Sequence, residues 1–571
     1  MYFLALATDY DGTLAHGGVV AEETLAALRR FKETGRRLIL VTGRELDDLR
    51  RVFRDVALFD RVVAENGALL FDPATETRRA LADPPPELFV ERLKARRIEP
   101  LSIGEVIVAT WEPEEKVVLD VIRELGLELQ IIFNKGAVMV LPPGVNKATG
   151  LAAALDELGL SSHNVVGVGD AENDHAFMSA CGASAAVANA LPSLKADADF
   201  VLEASHGAGV AELVERMIAD DTALVTERHG IPVGTSEDGS ELLLEPHRGN
   251  VLIAGTSGVG KSTLAAALTE RMAERGFEFC VLDPEGDYDE LEHAVTIGDA
   301  QTPPQTDEAL KLLDTLGTNV VISTQSFTMA ERPTYFAGLL PQIASLRART
   351  GRPHWLLIDE AHHLLPANRG DFAVVLSETL PAVVLITVHP EAVSRQALET
   401  IDTVVAVGER TEEVIGAICD AIGRPRPASV PVPEHDEVVV FRVRGESMTQ
   451  VAKAATPRQA HRRHTLKYAE GKLGEDRSFY FRGPDSRLNL RAHNLMLFVE
   501  LADGVDDETW EHHRRSRDYS SWFREAIKDE ALAREAAEIE ADDTLDARES
   551  REKIATAVRR RYTVPAEGAE H

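Results

Sequence analysis

The sequence predicts a multidomain α/β protein: two parallel-sheet domains in tandem, followed by a mainly helical module. Three observations predict it. Over about the first 220 residues, apolar strand-like runs alternate with amphipathic helical ones, as in "YFLALATD", "EETLAALRRFKETG" and "RRLILVTGR". Beyond a stretch punctuated by Gly, Pro and Ser, "ERHGIPVGTSEDGSELLLEPHRG", a second strand series begins. Its members are "NVLIAG", "FEFCVLD", "NVVISTQ", "HWLLIDE" and "AVVLITVH". From about residue 452 the pattern is helical, apart from "SFYFRGP". The expected domains are 1–222, with an insertion at about 75–143, then 223–450 and 451–571.

At about 100–200 residues per domain, a chain of 571 residues suits this division. No run of about 18 apolar residues exists, so no transmembrane helix and no membrane partner are expected. The start, "MYFLALATDYDG", reads as a strand rather than a leader. Cys181, Cys280 and Cys419 lie far apart, without metal or disulfide spacing, and a cytoplasmic location with inert thiols is expected. The net charge of −33 weakens nonspecific attraction to nucleic acid, so charge does not support a nucleic-acid partner.

In a parallel sheet the functional groups collect where strands end. Asp9 and Asp11 close the first strand in "LATDYDGTLA", and Thr42 follows the next in "LILVTGR". Lys147 stands in "PPGVNKATGL", and Asp170, Asn173 and Asp174 occupy "VGVGDAENDHAFM". These residue types suit phosphate-ester cleavage. One carboxylate can attack phosphorus, and a second can protonate the leaving oxygen. A metal offsets the repulsion between carboxylate and phosphate, and magnesium prefers oxygen ligands. A cation and small donors hold the transferring group.

This ordered set resembles the haloacid-dehalogenase-like (HAD) phosphatases, whose motifs read DxDGT, a Thr or Ser after a strand, a Lys, and GDxxND. The resemblance implies a Rossmann-like core, with Asp9 as nucleophile and Asp11 as general acid/base. Thr42 and Lys147 would hold the phosphoryl group. Mg2+ would be bound by Asp9, the Asp11 carbonyl and Asp170, with Asp174 in support. Asp9 and Thr42 are 33 positions apart, which leaves no room for a lid, whereas 105 positions separate Thr42 from Lys147. The extra stretch resembles the α+β cap of the Cof-type and sugar-phosphatase branch. Such a cap closes over the site and excludes water, so a small phosphorylated metabolite is the expected substrate.

The second series carries its own phosphate chemistry. "GTSGVGKST" comprises Gly255, Thr256, Ser257, Gly258, Val259, Gly260, Lys261, Ser262 and Thr263, after a strand and before a helix. The glycines let backbone N–H groups face phosphate, Lys261 pairs with β/γ oxygens and Ser262 ligates magnesium. In "HWLLIDEAHHLLP", Asp359 would hold magnesium through water and Glu360 would polarise the attacking water. A water-activating Glu favours ATP hydrolysis over kinase activity. With "DPEGDY" (283–288), these motifs resemble the HerA/FtsK class of ring ATPases, a RecA-like P-loop fold. That resemblance implies a homo-oligomer, a hexamer in the family, and a polar sensor after the Walker B strand, where Thr387 and His389 stand. It also implies an arginine from a neighbouring subunit, for which Arg347 and Arg349 are candidates.

In the last segment, His461 and His464 are spaced as a metal pair but read better as a basic helix face. Trp510, Tyr519, Trp522 and Phe523 read as core, and "SRDYSSWFREAIKDEALA" as one amphipathic helix. The expected function is bifunctional: Mg2+-dependent phosphomonoester hydrolysis through an aspartyl-phosphate, and ATP binding and hydrolysis. The alternatives are an ATP-sensing regulatory assembly or a DNA translocase with an attached phosphatase, and a polynucleotide phosphatase-kinase.

Overall fold

The structure, a computed structural model, describes residues 1–289, 291–367, 381–434, 436–444, 448–457, 473, 478–484, 487–527, 529–542 and 544–562. It is a mixed α/β multidomain chain with a helical C-terminal part.

The first sheet has eight strands. Its centre is β1 (Ala5–Asp9), flanked by β2 (Arg37–Val41) and β3 (Val165–Gly169), both parallel to it. All but the first residue of β2 are buried in these three strands, so they read as continuous apolar runs rather than alternating ones. The register Asp9↔Val41 ends β1 and β2 level, which brings Asp9, Thr42 and Asp170 to one edge of the sheet. The helix α1 (Lys147–Leu158) starts at that edge. Asn146 caps it in a reciprocal capping box with Thr149, and Gly159 closes it in the left-handed region. Between the sheet's crossovers lies a four-stranded antiparallel sheet, 102–103, 108–111, 137–141 and 130–134. The helices Glu87–Ala95 and Glu115–Leu125 cover one of its faces through Phe89, Leu93, Val118 and Val121.

The second sheet has eleven strands. Its parallel part includes β4 (Asn250–Ala254), β5 (Phe279–Asp283), β6 (Trp355–Ile358) and β7 (Val383–Thr387). β7 lies between β4 and β6, so its end sits between the loop after β4 and the acidic pair after β6. The helix α2 (Lys261–Glu274) follows the loop. The strands Ile231–Thr235, Glu241–Leu244, Glu437–Arg442 and Thr449–Ala454 extend this sheet antiparallel.

In the last segment, a two-stranded ribbon, Phe479–Phe481 with Leu490–Ala492, packs with the helices. Trp510, Tyr519 and Phe523 are fully buried and Trp522 nearly so. "SRDYSSWFREAIKDEALA" forms two helices rather than one, Asp518–Glu525 and Glu530–Ala541. The break has a local cause: the Asp529 side chain accepts the N–H of Leu532 and starts a new helix. His461 and His464 lie outside the described residues. Among the described residues, no helix is long and apolar enough to cross a membrane.

Candidate functional site

At the edge of the first sheet, the Lys147 ammonium bridges two carboxylates, 2.6 Å from Asp9 Oδ1 and 2.6 Å from Asp174 Oδ1. All three side chains are buried. Asp174 Oδ2 accepts the N–H groups of Asp170 and Ala171 at 2.8 and 2.9 Å, so Asp174 orients both the lysine and the loop after β3. Burial pushes the Asp9 carboxyl up to about 7, with the Asp174 charge adding to it and Lys147 opposing it. Burial also works against the Lys147 charge, but Asp174 and Asp9 outweigh it and raise the ammonium above its ordinary value.

Single oxygens of Asp9, Asp170 and Asp174 lie within 4.8 Å of one another. Thr13 donates to Asp170 Oδ1 at 3.2 Å. At Gly12, with φ +92°, a Cβ would come 2.3 Å from Asp170 Oδ2, so only glycine leaves this space open. A set of three carboxylates with all-oxygen donors suits the chemistry of a magnesium ion. Thr42 is buried, and its Oγ1 accepts the N–H of Arg44 at 3.1 Å. Asn173 donates to Asn66 at 2.9 Å.

Three residues near these groups were not singled out from the sequence. Arg44 forks onto Asp11 at 2.6 and 2.7 Å and reaches Asp48 at 2.5 Å. The "TGR" run after β2 was the visible signal for it. Glu65, in the left-handed region at φ 52°, accepts the N–H groups of Glu105, Val106 and Ile107 at 2.7–2.9 Å. Lys135 comes from the inserted sheet to Asp11 and Asp170. Only the folded chain reveals the last two. A cavity of about 550 Å³ separates the inserted sheet from the loop after β2; Gly43, Arg44, Thr110, Trp111 and Met139 are among its lining.

At the second site, Lys261 Nζ lies 2.7 Å from the Thr256 carbonyl, folded back over the "GTSGVGKST" loop. Gly260 stands at the N-cap of α2 in the left-handed region, φ +99°, which favours glycine there. Ser262 Oγ lies 3.5 Å from Asp287 Oδ2. Asp359 is buried and accepts the Glu360 N–H at 2.9 Å. Burial, Asp287 and Glu360 hold its carboxyl well above the usual range. Glu360 is left-handed at φ 44°. Thr387 Oγ1 lies 3.0 Å from His362 Nδ1 and accepts the His389 N–H at 3.0 Å, while the exposed His389 ring turns to Glu391.

The arginine candidates fare differently. Arg347 is half-buried and donates to the carbonyls of Pro353 and Pro381. Arg349 is exposed and pairs with Asp314. The three cysteines are buried.

Residues 6–83 and 105–214 match the haloacid dehalogenase-like hydrolase family, and residues 243–339 match the central domain of the helicase HerA. A phosphoglycolate phosphatase from Methanothermobacter thermautotrophicus is 33% identical over 223 residues, 38% of this chain and 98% of that protein. Phosphoglycolate phosphatase 2 from Saccharolobus solfataricus is 28% identical over 233 residues, 38% of this chain and 93% of that protein. A solved haloacid dehalogenase-like hydrolase from Bacteroides thetaiotaomicron aligns with 38% of this chain and 99% of its own, at 19% identity and a TM-score of 0.33.

Proposed function

The chain belongs to the haloacid dehalogenase-like hydrolase family, and we propose from that membership that residues 1–222 hydrolyse a small phosphomonoester, and from the HerA match that residues 223–450 bind and hydrolyse ATP. The observation that carries the first part is the Asp9–Lys147–Asp174 bridge beside Asp170.

Asp9 attacks phosphorus and forms an aspartyl-phosphate as the ester oxygen leaves. The ammonium at 2.6 Å favours the ionised nucleophile that this step needs. Asp11 protonates the leaving oxygen, then takes a proton from the water that cleaves the acyl phosphate. Arg44 sets the Asp11 carboxyl in place by its two-pronged contact and must loosen for Asp11 to donate. Lys147 and Thr42 offset the charge of the transferring oxygens. Asp9, the Asp11 carbonyl and Asp170, with Asp174 behind them, would hold Mg2+, whose charge when bound lowers the repulsion between nucleophile and phosphate.

The inserted sheet, acting as a cap, favours small substrates. The names of the relatives make phosphoglycolate the first candidate, with sugar phosphates the second. The test is phosphate release from a panel of small phosphomonoesters with Mg2+. Turnover of at least one, abolished by Asp9→Asn, is expected. Turnover that survives Asp9→Asn would overturn the reading.

In the second part, the loop 255–263 holds the ATP phosphates, Ser262 and Asp359 would hold its magnesium, and Glu360 polarises the attacking water. The HerA match supports a homo-oligomeric ring, and the net charge of −33 gives no support to DNA as its cargo.

A further inference from the structure

Lys135 stands at the tip of the cap hairpin joining Gln130–Asn134 to Ala137–Leu141. Its backbone is left-handed, φ 48°, an unusual state for a lysine. The side chain crosses from cap to core and places Nζ 3.0 Å from the Asp11 carbonyl and 2.8 Å from Asp170 Oδ2. A Cβ on Gly12 would meet both Nζ, at 2.6 Å, and Asp170 Oδ2, at 2.3 Å. The cap therefore delivers its own cation onto two of the groups proposed above to hold magnesium.

A second cation bound to the same carboxylate oxygen and carbonyl would stand close to this ammonium and be repelled by it, so the two compete for the place. We propose that Lys135 is an internal competitor for the catalytic metal: without metal its ammonium pins the cap hairpin to Asp11 and Asp170, and metal entry expels it. The displaced ammonium is tethered beside the reaction centre, where it positions the anionic substrate. This inference rests on the metal reading of Asp9, Asp11 and Asp170. It makes cap position and metal occupancy one equilibrium. The metal sees only the molecules in which Lys135 has withdrawn, so its apparent affinity is lowered by that fraction. If about nine in ten molecules are pinned, the apparent dissociation constant rises about tenfold.

The test is Mn2+ binding to the full chain without substrate or nucleotide, followed by electron paramagnetic resonance. Binding that survives Asp170→Asn belongs elsewhere and is subtracted. Lys135→Met should tighten the remaining site about tenfold, and Lys135→Arg should stay near wild type. An unchanged or weaker site in Lys135→Met, with Asp170→Asn still abolishing it, overturns the inference and leaves the metal reading standing. Retention of the whole signal in Asp170→Asn overturns both. A second readout needs no Lys135 variant. Trp111 is half exposed, and its ring lies 3.7 Å from where a Gly136 Cβ would be. Mg2+ should change the Trp111 fluorescence of the wild type, identified by its absence in Trp111→Phe. No metal-dependent change would also overturn the inference.

Discussion

Arg352 donates from Nη2 to the carbonyl of Gly159 at 3.1 Å, from one sheet domain into the other. Gly159 ends α1, whose first residue is Lys147. Arg352 precedes β6, which leads to Asp359 and Glu360. A second contact repeats the arrangement. His163 Nε2 lies 2.8 Å from the Arg275 carbonyl, just past α2, whose first residue is Lys261. Each of the two sites is thus joined to the shared interface by single rigid elements.

The guanidinium of Arg352 is fully buried, and its Nη1 also donates to Glu278 Oε2 at 2.8 Å. Arg352→Ala would leave a buried carboxylate and the Gly159 and Asp314 carbonyls without this donor. Breaking such a pair from one side costs about 3–5 kcal/mol. Denaturant unfolding should show a loss of this size, and Arg352→Met together with Glu278→Met should recover part of it. A midpoint unchanged in Arg352→Ala would mean that the buried Arg352–Glu278 pair contributes nothing to stability.

The same interface should make the protein acid-sensitive. His163 stacks on Phe277 at 3.9 Å, with His229 and His354 at 6.0 and 5.5 Å from it. Burial holds His229 down to about 4 from its ordinary 6.5, and holds His163 and His354 below theirs. The unfolded chain binds protons there that the folded chain refuses. Stability is therefore full above pH 6.5 and falls as pH drops toward 4, by about 3 kcal/mol for His229 alone. Unfolding free energies measured from pH 7.5 to 4.5 should show this slope, and His229→Gln should flatten it.

Glu65 offers a prediction about the cap. Its carboxylate gathers three N–H groups from 105–107, where the chain enters the cap strand 108–111. Glu65→Ala leaves the buried N–H groups of Val106 and Ile107 without their acceptor, at about 1–3 kcal/mol. The cap should loosen, with KM raised more than kcat is lowered. Glu65→Gln keeps one acceptor oxygen and should recover part of the loss. Equal falls in kcat and kcat/KM would place Glu65 in the chemistry instead.

Motifs at strand ends were legible because they depend on neighbours in sequence. Asp9, Thr42, Lys147 and Asp170 each follow or start an element whose periodicity is plain. Glu65 and Lys135 were not, because each matters through a residue about 40 positions away or more, and neither belongs to a local pattern. Arg347 shows a further contact that sequence does not display. Its position late in a helix suggests a surface, but the carbonyls of Pro353 and Pro381 draw the side chain inward. The single helix expected after Arg517 failed on one cap, Asp529, which a continuous apolar stripe concealed.

The two acidic and basic groups of the second site should separate binding from hydrolysis. Lys261 lies over the Thr256 carbonyl at 2.7 Å, at the head of α2, where its charge would meet phosphate. Lys261→Ala should abolish ATP binding measured by calorimetry. Glu360 is held left-handed at φ 44°, a strained state for a residue other than glycine. Glu360→Gln removes the base but not the shape. It should bind ATP as the wild type does and hydrolyse it about 10²–10⁴-fold more slowly. Phosphatase assays of both variants with ATP then decide what the nucleotide does for the first site. If ATP alters phosphate release in wild type and Glu360→Gln alike, but not in Lys261→Ala, occupancy of the loop is the signal. If Glu360→Gln loses the effect too, the signal is turnover.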